Sequence, residues 1–283
     1  MQAAPLEFIK PVIAKPFIKF VGGKRQLAPQ ILEVLPAKIK TYYEPFVGGG
    51  AIFFALAEQN RFEAAALSDT NAELINAYQT IKMDPHALIS KLKAFQNTKE
   101  YFLATRELDT ALLSPEDRAA RFIYLLKVCF NGLYRVNKSG KFNVPFGKYD
   151  NPKICDEENI LACSQLFDTN CLIGCHDYSY LVKYAEPGDA VYFDPPYVPL
   201  SQTSNFAAYT KDGFTLDDQK RLATLFSDLV GRGIHTVLSN SDTDVIRDLY
   251  KNFEIKSVQA RRSINSKGDK RGTVGEVLVV GSP

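Results

Sequence analysis

Apolar and polar positions in the first third of the chain predict a strand, a turn, a helix and a second strand. Residues 42–46 form a short aromatic and apolar run, three glycines follow it, and residues 51–58 then show a helical pattern. Residues 64–68 read as a small apolar strand that ends at Asp69, and residues 71–81 predict the next helix. A strand, turn, helix and strand within about 40 residues is a βαβ unit, which implies a parallel sheet.

The same alternation of strands and helices returns in the last third of the chain. Thr215 is a suitable N-cap for a helix that extends to residue 230, and Asp218 stands in the capping-box position. Asp242 is predicted to begin a further helix. The predicted strands of this part are residues 190–193, 236–238 and 276–280.

The middle of the chain has a different pattern. Residues 85–107 are polar and helical, and residues 115–128 form an amphipathic helix with its apolar positions on one face. Residues 131–151 are rich in Gly, Asn, Lys and aromatic residues and lack the periodicity of a long helix. We therefore predict that an α/β domain carries an inserted domain. The predicted division is residues 1–81 with 160–283 for the first and residues 82–159 for the insert.

Composition excludes some classes of protein. The 283 residues are 46% hydrophobic and 23% charged, which is typical of a globular protein. We expect no membrane association, because no apolar stretch reaches the roughly 20 residues that a spanning helix needs. The net charge of +2 does not by itself favour nucleic acid, since a DNA-binding surface needs local positive charge. The five cysteines lack zinc-knuckle spacing, which favours reduced thiols in a cytosolic protein.

The sequence Asp194-Pro195-Pro196-Tyr197 directly follows a predicted strand. The 6-amino group of adenine is a poor nucleophile, because its lone pair is delocalised into the ring. Asp194 can accept one amine hydrogen and the carbonyl of Pro195 the other, and the next proline has no competing N–H. Asp194 should be ionised for this, and Tyr197 can stack on the base. The alternative is a Pro-Pro turn that closes a strand, but the carboxyl end of a strand is where open α/β sheets bind ligands.

A glycine loop, Glu-Pro-Phe-Val-Gly-Gly-Gly at residues 44–50, follows the first predicted strand. Glycines let the backbone approach a ligand, and the following helix N-terminus favours a carboxylate. Asp69 lies about 20 residues after Gly48, where nucleoside-binding βαβ units place an acceptor for ribose hydroxyls. The loop lacks G-x-G-x-x-G, which favours a smaller nucleoside such as S-adenosylmethionine over a dinucleotide. The alternative is a glycine-rich turn with Asp69 as an N-cap.

Two further segments carry candidate chemistry. Lys-Phe-Val-Gly-Gly-Lys at residues 19–24 could hold an adenosine ring or a phosphate, although such a turn more often leads into a helix. In the segment that begins at Phe130, Arg135 can pair with guanine and Leu133 can meet a thymine methyl. Phe130 or Pro145 can wedge into a base stack.

Basic residues accompany this segment and recur near the C-terminus. The flanking lysines are Lys138, Lys141 and Lys148, and the later stretch contains Arg261, Arg262, Lys267, Lys270 and Arg271. Such side chains can contact phosphates. The alternative for each stretch is a charged loop in solvent.

Together these motifs, in this order from about residue 16 to the C-terminus, resemble the Dam-type DNA adenine methyltransferases of the alpha group. The resemblance implies a mostly parallel, Rossmann-like methyltransferase sheet with helices on both faces and an inserted helical and β-hairpin target-recognition domain. It implies methyl transfer from S-adenosylmethionine to the 6-amino group of a flipped-out adenine in duplex DNA, within GATC, without a metal. We expect a monomer in the cytoplasm, associated with DNA.

The resemblance also implies roles for individual residues. The expected catalytic residues are Asp194, Pro195, Pro196 and Tyr197. The expected cofactor contacts are Phe20, Lys24, Phe46, Gly48, Asp69, Asp177 and Asp194. The expected DNA contacts are Lys19, Phe130, Asn131, Leu133, Arg135, Lys138, Pro145, Arg261 and Arg262. Phe20 and Phe130 stand where many members of the family carry Trp and Tyr, which preserves an aromatic face.

Two alternatives remain at the level of sequence. Methylation of the 4-amino group of cytosine poses the same chemical problem, although the usual signature there starts with Ser rather than Asp. A catalytically silent DNA-binding protein of the same fold is the other alternative, and the intact Asp-Pro-Pro-Tyr and glycine loop argue against it. Transfer of tritium from labelled cofactor to DNA would distinguish the enzyme from the silent protein.

Overall fold

A computed structural model describes residues 12–20, 22–168, 170–198, 214–261 and 273–283. Its strands are β1 (Ile39–Glu44), β2 (Phe62–Asp69), β3 (Cys171–Cys175), β4 (Ala190–Phe193), β5 (His235–Ser241), β6 (Glu254–Arg261) and β7 (Thr273–Gly281). Its α-helices are α1 (Ala28–Val34), α2 (Ala51–Glu58), α3 (Ala72–Met83), α4 (Pro85–Lys93), α5 (Lys99–Glu107), α6 (Pro115–Val128), α7 (Glu157–Asp168), α8 (Tyr178–Val182), α9 (Leu216–Gly231) and α10 (Asp244–Leu249). Short 3-10 turns lie at Lys24–Gln26, Thr110–Leu112 and Phe130–Gly132.

The strands of the described residues form one seven-stranded sheet in the order β3-β2-β1-β4-β5-β7-β6. Strands β1 to β5 run parallel to one another, and β7 pairs antiparallel with both β5 and β6. The carboxyl ends of β1 to β5 therefore meet at one edge of the sheet. The order reverses between β1 and β4, which is where open α/β sheets form a ligand crevice.

The sheet is buried on both faces, as parallel strands require. Successive side chains of a strand point to opposite faces. In β4, Tyr192 belongs to the core on one face, while Val191 and Phe193 belong to the core on the other. Helices α1 to α7 contribute side chains to the first core, and α8 to α10 contribute to the second. The predicted fold class, a mostly parallel Rossmann-like sheet with helices around it, is confirmed.

Several predicted boundaries are confirmed and others shift. Thr215 caps α9 in a capping box with Asp218, as the sequence predicts. The prediction that Asp242 begins the next helix is wrong. Thr243 is the N-cap, and its side chain accepts from the Ile246 N–H at 3.3 Å. Asp242 instead forms an ion pair with Arg247, with 2.6 Å between oxygen and Nε.

The middle segment packs on the sheet domain through a shared hydrophobic core. Helix α6 packs against α3 and α4, and its buried side chains belong to the core on the first face of the sheet. The predicted limits at residues 82 and 159 fall within α3 and α7. The division into two domains stays a prediction. In the described part of the chain, the helices are too short or too polar to cross a bilayer.

Candidate active site

The turn after β4 places Asp194 at the carboxyl edge of the sheet. Its Oδ1 atom lies 2.9 Å from the Lys24 ammonium and accepts a hydrogen bond from the Ser239 hydroxyl at 2.9 Å. The side chains of Lys24 and Asp194 are only 9% and 19% exposed. Lys24 also donates to the carbonyl of Gly22 at 2.9 Å and lies 4.5 Å from the centre of the Tyr197 ring.

Burial and charge act in opposite directions on Asp194. Burial raises the pKa of its carboxyl group, while the Lys24 ammonium and the Ser239 hydroxyl lower it. A buried carboxylate survives as an anion only when such partners compensate for lost water. Lys24 is therefore the cation that favours the ionised form of Asp194.

The glycine loop between β1 and α2 is braced by Asp69 from the end of β2. The Gly48 N–H donates to Asp69 Oδ2 at 3.1 Å, and the Asn71 N–H donates to Oδ1 at 2.9 Å. Gly50 has a φ of 68°, and a Cβ atom there would lie 2.8 Å from the Tyr78 hydroxyl, so this position requires glycine. Asn71, rather than Asp69, caps α3. The two oxygens of Asp69 thus accept backbone hydrogen bonds from Gly48, Asn71 and Thr70. A carboxylate has about four acceptor sites, so one remains for a ligand.

Glu44, at the end of β1, was not among the predicted site residues. It is 2% exposed, and its Oε2 accepts hydrogen bonds from the Tyr42 hydroxyl at 2.9 Å and the Phe53 N–H at 3.0 Å. Burial raises the pKa of Glu44 to about 8, with a further contribution from the negative charge of Asp194. An acidic residue immediately before the glycine loop was the available sequence signal.

A cleft at the carboxyl edge of the sheet joins the glycine loop and the turn after β4. Its lining residues are Gly22, Gly23, Lys24, Glu44, Phe46, Val47, Gly48, Gly49, Ala51, Ile52 and Asp194. The structure thus brings together the predicted cofactor residues Lys24, Phe46, Gly48 and Asp194, with Asp69 directly behind Gly48. The Phe20 side chain packs against the glycine loop, since a Cβ on Gly48 or Gly49 would lie 3.4 Å from it.

Asp177 lies beside this group rather than in the lining of the cleft. It caps α8 by accepting from the Ser179 N–H at 3.0 Å, and its other oxygen lies 2.6 Å from Arg221. Tyr178, the next residue, stacks on Phe46 with 5.3 Å between ring centres. A cofactor contact by Asp177 stays a prediction.

Four of the predicted DNA contacts, Lys19, Phe130, Asn131 and Pro145, lie in or next to the 3-10 turn after α6. A Cβ on Gly132 would lie 3.4 Å from the Lys19 side chain. The turn at residues 19–24 therefore contacts the 3-10 turn at Phe130–Gly132. Phe130 is 50% exposed, and its N–H donates to the carbonyl of Pro145 at 2.8 Å. Asn131, between Phe130 and Gly132, has a positive φ of 56°. Phe130 and Pro145 are therefore exposed neighbours on one surface.

Arg135 stands at the base of a small hairpin. The Asn143 N–H donates to the Arg135 carbonyl at 3.0 Å, and Val136 and Phe142 form an antiparallel bridge. The guanidinium donates from Nε to Asn143 Oδ1 at 2.7 Å and from Nη2 to the Asn143 carbonyl at 3.1 Å. Asn143 thus orients the exposed Arg135 side chain.

The other predicted contacts differ in their surroundings. Lys138 is exposed in the hairpin turn, and Leu133 is half-buried against the core. The backbone of Arg261 ends β6, while its side chain and the whole of Arg262 lie outside the described residues. Among the described residues, no group of three or more His, Cys, Asp or Glu side chains is arranged to hold a metal ion.

A mostly parallel sheet with a glycine loop and an Asp-Pro-Pro-Tyr turn at its carboxyl edge defines a Rossmann-like methyltransferase. Residues 20–264 match the model of the D12 class N6 adenine-specific DNA methyltransferases, and the chain belongs to this family. The resemblance found in the motifs is confirmed.

Named relatives match over almost the whole chain. The type II methyltransferase M1.LlaDCHI of Lactococcus lactis is 46% identical over 272 residues, which is 94% of each chain. The type II methyltransferase M.MjaIII of Methanocaldococcus jannaschii is 44% identical over 275 residues, covering 91% of this chain and 95% of the relative. The DNA adenine methylase of Escherichia coli is 36% identical over 271 residues, covering 94% and 95%.

Proposed function

We propose that this adenine-specific DNA methyltransferase transfers a methyl group from S-adenosylmethionine to the 6-amino group of an adenine that is flipped out of duplex DNA, within the sequence GATC. The observation that carries the proposal is the Asp194 carboxylate, fixed by Lys24 and Ser239 in the lining of the cleft beside the glycine loop. A base must leave the helical stack to reach a buried carboxylate.

The contacts of Asp194 support different roles for its two oxygens. Oδ1 accepts from Lys24 and Ser239, so Oδ2 is the atom that would accept an amine hydrogen. The carbonyl of Pro195 would accept the second amine hydrogen, which concentrates the lone pair on the nitrogen. Tyr197 would stack on the base, and its hydroxyl donates to Glu276 at 2.7 Å, which fixes the ring. Holding the amine in line with the methyl donor is the main task of this site.

The residues of the cleft fit S-adenosylmethionine, which supplies an electrophilic methyl group on a positively charged sulfur. Asp69 keeps an acceptor for ribose hydroxyls, and Gly48 allows close approach of the backbone. The aromatic ring of Phe46 lines the cleft, and Phe20 packs over the glycine loop. Asp177 and Lys24 complete the proposed set of contacts.

Target recognition is assigned to the surface around the hairpin. Arg135 would bind a guanine edge and Leu133 would contact a thymine methyl. Lys19, whose side chain lies against Gly132, would read a further base. Phe130, Asn131 and Pro145 would fill or flank the gap left by the flipped adenine. Lys138, Arg261 and Arg262 would contact phosphates.

The test measures transfer of tritium from labelled S-adenosylmethionine to duplexes that contain GATC or a single change within it. We expect labelled product on the GATC duplex, recovered as N6-methyladenine after digestion to nucleosides. Asp194→Ala should slow transfer by about 10²–10³, as loss of a charged acceptor at a transition state does. Label on cytosine, equal transfer to all duplexes, or undiminished transfer by Asp194→Ala would each contradict the corresponding part of the proposal.

A further inference from the structure

Side chains from two other elements hold the backbone of the Asp-Pro-Pro-Tyr turn. Gln219 of α9 donates from Nε2 to the carbonyl of Pro196 at 2.9 Å. Asn240 of β5 accepts at Oδ1 from the Val198 N–H at 3.1 Å. The turn is therefore fixed immediately after Pro195 and again after Tyr197.

The two amides also hold each other. Asn240 donates from Nδ2 to Gln219 Oε1 at 3.2 Å, and Asn240 Oδ1 accepts a second bond from the Ser241 N–H at 2.8 Å. Gln219 and Asn240 are fully buried, so an unpaired amide end would be costly. The Pro196 carbonyl needs a donor and the Val198 N–H needs an acceptor. Only one orientation of the two amides satisfies both needs and their mutual bond.

We propose that Gln219 and Asn240 are positioning residues for methyl transfer, which aim the Pro195 carbonyl at the target amine and hold the Tyr197 ring where it stacks on the base. Asp194 is already fixed by Lys24 and Ser239, so Pro195 lies between two anchored points. Proline rings lock φ at both positions, and peptide planarity transmits the orientation of the Pro196 carbonyl along the turn. This inference rests on the proposed function of the turn.

The central test replaces Gln219 with Met, which is similar in length and lacks both hydrogen-bonding ends. Single-turnover methyl transfer should slow by about tenfold to a hundredfold, the cost of a misplacement on the order of 1 Å. The dissociation constants for S-adenosylmethionine and for the GATC duplex should change by less than about twofold, because neither amide touches the cleft or the hairpin. A loss confined to the rate separates positioning from binding.

A second variant, Gln219→Glu, keeps the shape and makes the donor depend on pH. Only the protonated carboxyl can donate to the Pro196 carbonyl, and burial favours that form. The rate of Gln219→Glu relative to wild type should therefore be highest at low pH and fall as pH rises through the pKa of the introduced group. A role in stability alone would not change the rate of the folded enzyme with pH in this way.

Thr236→Val is the matched control, since Thr236 is buried at the opposite end of β5 and donates to the carbonyl of Ile234 at 3.1 Å. It should lose stability and keep the wild-type rate. The proposal is overturned if Gln219→Met transfers methyl at the wild-type rate, if Thr236→Val slows transfer equally, or if Gln219→Met weakens binding and leaves the rate unchanged. Failure of the wild-type chain to methylate adenine would instead contradict the proposed function itself.

Discussion

Replacement of Lys24 by Met should move the pH dependence of methyl transfer, because Lys24 is the cation that keeps Asp194 ionised. The ammonium lies 2.9 Å from Asp194 Oδ1, and both side chains are largely buried. An opposite charge at this range typically lowers the pKa of a carboxyl by about 1 to 3. Removal of the Lys24 ammonium should therefore raise the pKa of Asp194. For a carboxyl in general, each pKa unit corresponds to about 1.4 kcal/mol. Ser239 remains as one donor, so Asp194 keeps a partner.

The assay is single-turnover transfer between about pH 5 and pH 9 with saturating cofactor and duplex. Asp194 accepts the amine hydrogen only when ionised, so a higher pKa moves the acid limb of the profile to higher pH. Lys24→Met should therefore be slowest at low pH and recover as pH rises. Lys38→Met, which removes an exposed lysine near the start of β1, is the control and should follow the wild-type profile. An equal loss of rate at every pH in Lys24→Met would refute the electrostatic role.

Three further predictions follow from the site. Asp69→Ala should weaken the binding of S-adenosylmethionine by roughly 1.5–3 kcal/mol and leave DNA affinity nearly unchanged; unaltered cofactor binding by calorimetry would argue against it. Glu44→Gln should be more stable than wild type at high pH. Glu44 keeps its proton up to about pH 8 in the folded state and releases it near pH 4.5 in the unfolded chain. Between these two pH values the free energy of unfolding of the wild type therefore falls by up to about 1.4 kcal/mol per pH unit. Urea unfolding at pH 5, 7 and 9 measures this, and a difference that does not grow with pH would exclude it. Arg135→Ala should lose about 1–3 kcal/mol of discrimination at one base pair, whereas Lys138→Ala should weaken binding to all duplexes alike; an equal slowing of every duplex by Arg135→Ala would make Arg135 a general contact.

Local sequence rules predicted the parts of the site that lie in single motifs. The predicted helix at residues 51–58 and the predicted strand at residues 190–193 have the observed bounds of α2 and β4. Glycine after a strand and proline after an aspartate constrain only their neighbours, so a short window is sufficient to recognise them. The loops of the candidate site were therefore predictable.

The partners of these loops depend on strand order, which a local pattern does not encode. Ser239 and Asn240 reach the turn because β5 lies beside β4, and Glu276 reaches Tyr197 because β7 lies beside β5. The predicted strand at residues 236–238 stopped at the last apolar position, whereas β5 continues to Ser241. Its polar end is buried because the turn supplies hydrogen-bond partners. Tertiary hydrogen bonds thus explain the buried polar residues of this strand. A prediction from apolar positions alone does not include them.

The N-terminal turn at residues 19–24 contacts three parts of the candidate site, although its sequence motif alone is weak evidence for a function. Lys19 touches Gly132 in the proposed recognition segment, Phe20 packs over the glycine loop, and Lys24 holds Asp194. Taken alone, a Gly-Gly turn between two lysines is more typical of a turn that leads into a helix, and the 3-10 turn at Lys24–Gln26 does precede α1. Its three side chains nevertheless meet three different parts of the site. A change of backbone conformation at residues 19–24 would move Lys19, Phe20 and Lys24 together, because few residues separate them. It would therefore affect proposed base recognition, the packing over the glycine loop and the ion pair with Asp194 at the same time.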